Sequence, residues 1–336
     1  VALLFMDSFD HYTAPADKGW DTSGSFYIPT ISAVGRFAGG ATLLTSGSGW
    51  ESRPSLLRQY LSIGSTGCIG FAFKYDNGAT QSTWGGVLVL WDGVIAQLYL
   101  NWSAPGFLSV YRGNGTLLGT GTISLIPGYW YYIEFSFSIA DSGGSFELRV
   151  NGNTSISGSG LDTRNAGTGI ADSFQFRNNA AQMYFDDVYA KSDGTFLGDC
   201  RVECLYPSGA GAETQWTPVS GANYQNVDET PANGDTDYNK SNTVGQVDTY
   251  AMADLVAATG LIYGVQYLGY ARKDNAGTRK TAPVARIGGA DYVGSDTSLG
   301  TSYVFTREVK ELSPATAAAW TISEINAMEY GVKVTA

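Results

Sequence analysis

The sequence predicts an all-β protein built as two antiparallel β-sandwich domains with few short helices. Three observations carry this. Gly makes up 43 of 336 residues, nearly double the usual ~7%. Aromatic residues reach 13%, led by 21 Tyr, while charged residues are only 15%, a composition of strands and tight turns. Large apolar side chains recur at every second position between Asn-Gly and Asp-Gly turns, the pattern of strands with one buried face. A length of 336 residues corresponds to about two domains of ~150 residues.

The elements follow in order. Ala2–Met6 is apolar, but it lacks a basic leader and is shorter than a signal core of ~7–15 residues, so it reads as a first strand. Ser55–Tyr60 looks helix-like and predicts a turn or short 3₁₀ piece. Cys68–Tyr75, Val87–Trp91, Val94–Trp102 and Phe107–Tyr111 read as strands, each closed by turn residues. In 131–139, Tyr131, Ile133, Phe135, Phe137 and Ile139 alternate with Tyr132, Glu134, Ser136 and Ser138, which the pattern assigns to solvent. Asp141-Ser142-Gly143-Gly144 turns the chain. Phe146, Leu148 and Val150 resume the alternation up to Asn151-Gly152. Met183–Ala190 is another strand. The polar Lys191-Ser192-Asp193-Gly194 then marks a boundary: a first domain at 1–190, a linker at 191–198 and a second β-rich domain at 199–336.

In the second domain, Cys200, Val202, Cys204 and Tyr206 alternate as a strand. Residues 263–272 and 278–287 read as a hairpin turned by Asp274-Asn275-Ala276-Gly277. Thr321-Ile322-Ser323-Glu324 is a capping box opening a short helix, and 332–334 form a last strand.

Net charge is −11, spread evenly: 1–190 carry 9 basic and 14 acidic side chains, 191–336 carry 11 and 17. Such a surface repels nucleic acid, whose binding depends on cationic side chains, and anionic membranes. No apolar run reaches the ~20 residues of a membrane span. A single His, His11, excludes a multi-His metal site, and no Ser or Cys pairs with it as a triad. Cys200 and Cys204, four residues apart on a strand, lie ~13 Å apart, too far for a disulfide or one shared zinc. These two and Cys68 read as small buried hydrophobes.

Glycosidases hold two carboxyl groups across the sugar, but the chain has no Glu-x-Asp or Glu-x-Glu, and Asp186 and Asp187 point to opposite strand faces. No catalytic residue and no cofactor are assigned. The loop 226–238 offers oxygen ligands for calcium at Asp228, Asp235 and Asp237, although Asx turns account for the same residues. Arg272, Lys273, Arg279, Lys280 and Arg286 flank the expected hairpin tip. They suit either protection of a strand edge or docking of an acidic partner. Trp84, Trp91 and Trp102 lie on or beside strands. They are candidates for stacking on a sugar, while a Trp in an alternating strand is more often core.

Two stretches carry a resemblance. Leu3–Tyr12, with its Phe5-Met6-Asp7-Ser8-Phe9-Asp10 run, and Tyr184-Phe185-Asp186-Asp187-Val188-Tyr189 resemble the first and last strands of a concanavalin A-like (laminin G-like) jelly-roll domain. Phe196–Val202, Gln215–Pro218, Val227–Glu229, Gly245–Tyr250 and Pro314–Thr321 are similar to structural proteins of tailed bacteriophages and prophages. The resemblance implies a virion protein, non-enzymatic, decorating the capsid or forming part of the tail or fibre. It implies a homo-oligomer bound to other virion proteins, assembled in the host cytoplasm and released by lysis. The absent secretion signal agrees with that. Two alternatives stay open: a module binding a host glycan or receptor through exposed Trp or Tyr, and a polysaccharide depolymerase, against which the missing carboxylate pair argues.

Overall fold

The computed structural model describes residues 2–37, 40–45, 55–76, 86–103, 106–178 and 182–336. Their contacts divide the chain into two units, Ala2–Val202 and Glu203–Ala336. Both are built almost entirely from antiparallel strands. Among the described residues no helix is long and apolar enough to cross a membrane.

The first unit contains β1 (Leu3–Asp7), β2 (Thr30–Ser32), β3 (Ala41–Thr45), β4 (Ser55–Gly64), β5 (Thr66–Tyr75), β6 (Gly86–Asp92) and β7 (Ile95–Ser103). It continues with β8 (Phe107–Arg112), β9 (Leu117–Ser124), β10 (Tyr131–Ser138), β11 (Gly144–Val150), β12 (Asn153–Leu161), β13 (Ala171–Asn178) and β14 (Gln182–Lys191). One sheet runs β12-β11-β10-β5-β14-β3-β2, with β1 also paired to β14. The other runs β4-β13-β6-β7-β8-β9. The expected pairing of first and last strands is present: Met6 lies opposite Tyr189 and Asp7 opposite Val188.

Between the sheets lies an aromatic core. Phe176 stacks on Phe185 at 4.2 Å and meets Phe71 edge-on at 5.0 Å, and Trp20 packs edge-on against Phe5 and Phe174. Offset and edge-on contacts of this kind suit the ring quadrupoles. The edge strands β9 and β12 close one side of the sandwich. There the absence of a Cβ at Gly119 leaves room for Ile156 Cδ1, which would have to shift from 2.3 Å if one were added.

Three readings from the sequence are corrected here. Ser55–Tyr60 is not a turn but the start of β4, ten residues long and laddered along β13. Tyr132 and Glu134 do not face solvent; each is 1% exposed. Residues 192–202 lie over that face as a strap. Glu134 Oε1 accepts the backbone N–H of Leu197 (3.1 Å) and Gly198 (2.8 Å) and the hydroxyl of Tyr189 (2.5 Å). Ser136 Oγ donates to the carbonyl of Gly194 at 2.7 Å. Cys200–Tyr206 is not a strand. Its backbone bonds to side chains instead: the Cys200 carbonyl accepts from Arg36 (3.1 Å) and the Val202 N–H donates to Asp187 (2.8 Å).

The second unit contains β15 (Pro207–Thr214), β16 (Thr217–Pro218), β17 (Asn239–Lys240), β18 (Val247–Met252), β19 (Val265–Ala271) and β20 (Lys280–Ile287). It ends with β21 (Ala290–Val293), β22 (Thr297–Ser298), β23 (Val304–Lys310), α1 (Ile322–Ala327) and β24 (Glu329–Val334). The main sheet runs β15-β18-β24-β20-β21, with β22 on β20. The hairpin expected between 263 and 287 does not form: β19 pairs with β23, while β20 pairs with β24. Tyr267 on the β19–β23 ribbon stacks on Tyr330 of the sheet at 5.3 Å. The core is small, with Tyr267, Ala285, Trp320, Ile325 and Met328 at its centre. Thr321 caps α1 as the sequence suggests, its hydroxyl accepting from Glu324 N at 3.1 Å.

Candidate functional site

The six-stranded sheet of the first unit turns Leu88, Leu90, Leu98, Leu100, Leu108, Val110, Phe174 and Phe176 into the core. Strand alternation therefore puts their neighbours on the opposite face. Register lines up Arg58, Gln175, Val89, Tyr99 and Tyr111 in one row across β4, β13, β6, β7 and β8. Beside it lie Tyr60, Ser173 and Trp91, also in register.

The exposed end of this face is a cation held between two rings. The Arg58 guanidinium sits 4.6 Å from the Tyr60 ring and 5.2 Å from the Trp91 ring. Its donors are committed: Nε and one terminal nitrogen reach Ser173 Oγ (2.9 and 2.6 Å), and the same terminal nitrogen reaches the Gly93 carbonyl at 2.6 Å. Asp172 stands 3.6 Å away. Tyr60, 52% exposed, donates its hydroxyl to Asp21 at 3.0 Å. The Ser23 hydroxyl and backbone N–H, together with that bond, hold the Asp21 carboxyl below the usual carboxylate range. Every part of the platform is fixed before a ligand arrives, which lowers the ordering cost of binding.

Farther in, Tyr99 and Tyr111 stack at 5.0 Å with their planes 4° apart. Gln175 and Val89 between the two aromatic stations are nearly covered, at 7% and 5% exposure. Two buried polar atoms here, Trp91 Nε1 and Asn101 Oδ1, have no partner among the described residues. Groups of this kind call for a water or ligand atom.

The residues singled out in the sequence fall as follows. Trp91 belongs to the platform. Trp102 does not: it is core, with its ring 4.6 Å from Tyr75, because it shares a face with Leu98 and Leu100. Trp84 lies outside the described residues. Tyr60 was missed, since its segment read as a turn.

Arg272 is bound to Asp235 (2.7 Å) and lies over Tyr303. Lys273 donates to the Gly277 carbonyl and Arg279 to the Thr278 carbonyl. Lys280 stands 3.8 Å from Asp296, and Arg286 bonds Asp291. Their expected hairpin does not form: Arg272, Lys273 and Arg279 lie in the connection between β19 and β20, and Lys280 and Arg286 near the two ends of β20, strands that pair elsewhere. Asp235 is engaged by Arg272 and by the Tyr303 hydroxyl at 2.9 Å. Asp228 is exposed and Asp237 half-buried. Among the described residues no group of three His, Cys, Asp or Glu side chains is arranged to hold a metal ion.

Buried charge lies elsewhere in the unit. Asp7 accepts from Lys18 (2.8 Å), Tyr12 (2.7 Å) and Trp20 (2.7 Å). Burial alone would raise its carboxyl, but Lys18 and these donors hold it low. Burial pushes His11 down to about 4. Asp186 is pushed up to about 8 by burial and by Asp187, and Asp187 up to about 6 by burial. Their partners are the backbone N–H of Arg36, 2.7 Å from Asp186, and the Arg36 guanidinium, 3.5 Å from Asp187. Cys68 and Cys200 are both raised to about 12 by burial, which leaves unreactive thiols.

No family model and no curated protein matches the chain, so the resemblance to virion proteins gains nothing from those comparisons. Solved structures do show likeness. The cellulose-induced protein Cip1 is 14% identical with a TM-score of 0.45, over 60% of this chain and 99% of that one. Domain 4 of AbnA, a GH43 extracellular arabinanase from Geobacillus stearothermophilus in complex with arabinotriose, is 13% identical with a TM-score of 0.38, over 57% of this chain and 95% of that one. The carbohydrate-binding module CBM66 from Bacillus subtilis is 11% identical with a TM-score of 0.31, over 52% of this chain and 96% of that one.

Proposed function

We propose that the first unit is a glycan-binding module that works through the outer face of its six-stranded sheet, without turning its ligand over. The observation that carries this is the prearranged Tyr60–Arg58–Trp91 platform. Aromatic rings pack on the C–H faces of sugars, and fixed amides and hydroxyls meet sugar hydroxyls. The row Arg58, Gln175, Val89, Tyr99 and Tyr111 itself contains no carboxylate, and the three at its rim, Asp21, Asp92 and Asp172, are each tied to neighbouring protein groups rather than set as the facing pair that glycoside hydrolysis needs.

A glycan array on the full chain tests the reading, with Tyr60→Ala and Trp91→Ala as controls. Each should weaken the best hit at least about tenfold, the loss of roughly one ring contact. Unchanged affinity in both variants would sink the proposal. The virion setting is a separate proposal resting on the sequence resemblance, and looking for the chain in purified phage particles tests it.

A further inference from the structure

Taking the glycan-binding reading as its premise, we infer that this face selects a neutral polysaccharide and rejects uronate chains. The argument is one of charge. Arg58 is a cation of the platform, and two of its three nitrogens are engaged by Ser173 Oγ and the Gly93 carbonyl, with Asp172 beside it. The fork formed by Nε and one terminal nitrogen is filled by Ser173 Oγ, and Asp172 sits beside that nitrogen, so a ligand carboxylate would have to approach the other terminal nitrogen next to a fixed like charge. Arg177, half-buried on the same face, is not free either.

Three carboxylates rim the platform, each fixed in place. Asp21 is held by Tyr60 and Ser23, at 3.0 and 2.8 Å. Asp92 follows Trp91 directly and accepts from Thr168 and Gly169. Asp172 accepts from Gly93 N at 2.7 Å. Two guanidinium groups, Arg58 and Arg177, against three carboxylates leave this face negative, in a chain whose net charge is −11. Like charges brought together at a recognition face suppress the wrong partner.

The row itself crosses five strands, a span of about 19 Å. Tyr60 and Trp91 stand at one end of it and Tyr99 and Tyr111 at the other, with the nearly covered Gln175 and Val89 between, so they form two separate stations for sugar rings.

The test uses the full chain against neutral polysaccharides (xylan, arabinan, galactan, mannan and β-glucan) and against polygalacturonate and alginate. A matched pair, methyl-esterified and de-esterified homogalacturonan, changes the charge alone. Hits should be confined to neutral chains. Within the matched pair the charged form should bind at least about tenfold more weakly, and the gap should shrink in high salt as screening shortens the reach of the rim charges. Asp172→Asn should narrow the gap further. A uronate as the strongest ligand, or no neutral-to-uronate gap, overturns the inference while leaving glycan binding intact. No binding to any of these chains overturns the glycan reading itself and the inference with it.

Discussion

The two units solve the same problem by different means. Ala2–Val202 buries a continuous layer of rings: Phe5, Phe9, Phe71, Phe73, Phe135, Phe174, Phe176 and Phe185 are all fully buried. Glu203–Ala336 has no buried Phe among the described residues, gathers Tyr267, Ala285, Trp320, Ile325 and Met328 in one cluster, and organises its loops around a carboxylate. Asp248, 0% exposed, accepts two hydrogen bonds from the Asn223 amide and one from Tyr250, all at 2.8 Å. Asn239 extends the network to Tyr250 at 3.0 Å and to the Asn223 carbonyl at 2.8 Å. Apolar burial is non-directional and tolerates local change. A polar network is directional and fails when one partner is lost. A unit with long polar loops can be held the second way with little apolar surface.

Differential scanning calorimetry of single variants should separate the two modes. The largest effect belongs to Phe176→Ala, which opens a cavity among Phe71, Phe174 and Phe185 and should cost about 3–5 kcal/mol, read in the first unit's transition only. An equal fall in both transitions would break the comparison. Asp248→Ala comes next. It strands the Asn223 and Tyr250 donors in the second unit, at about 2–3 kcal/mol; a loss below the error of the measurement would show that the network does not hold that unit.

Third is pH. Asp186 and Asp187 have folded pKa values of about 8 and 6, above the ordinary carboxylate range. The folded state therefore holds their protons more tightly than the unfolded state, and stability falls as pH rises through each window. His11, lowered to about 4, acts in the opposite sense: it adds stability as pH rises from about 4 to its ordinary 6.5. The two effects offset below pH 6.5. Above 6.5 His11 no longer contributes and the carboxyl pair still loses its protons, so the first unit should melt lower at pH 8 than at 6.5. Asp186→Asn should flatten that slope, and a slope unchanged by the variant would exclude Asp186 as its source.

The smallest effect is Trp91→Ala, about 1 kcal/mol from its lost cation–π contact. Trp102→Ala, a core change, should cost several times more. If the two Trp variants destabilise equally, the separation of platform from core fails.

Much of this was legible in the residues. The alternation of Ile133, Phe135 and Phe137, and of Phe146, Leu148 and Val150, marked the buried face of β10 and β11 correctly, because local period follows local exposure. It failed for Tyr132 and Glu134, whose cover comes from a strap some sixty residues later. Chain-distant contacts leave no trace in a local pattern. The same limit explains the missing hairpin: Asp274–Gly277 does turn the chain, but β19 and β20 each find a better partner in β23 and β24. At the candidate site, Trp91 was visible as an aromatic on a strand. Its face was not, since the ladder between β6 and β7 shifts register between Leu90 and Trp91. Tyr60 and Arg58 were hidden by a Leu-Leu-Arg-Gln run that reads as helical in isolation.

The strap has a mechanical consequence. The peptide leading out of the first unit is tied down at Val202 by Asp187 and, before that, at Leu197 and Gly198 by Glu134. Tension applied beyond residue 202 would meet these bonds one at a time, like the teeth of a zip. Each would have to give before any load reached the ladder of β14.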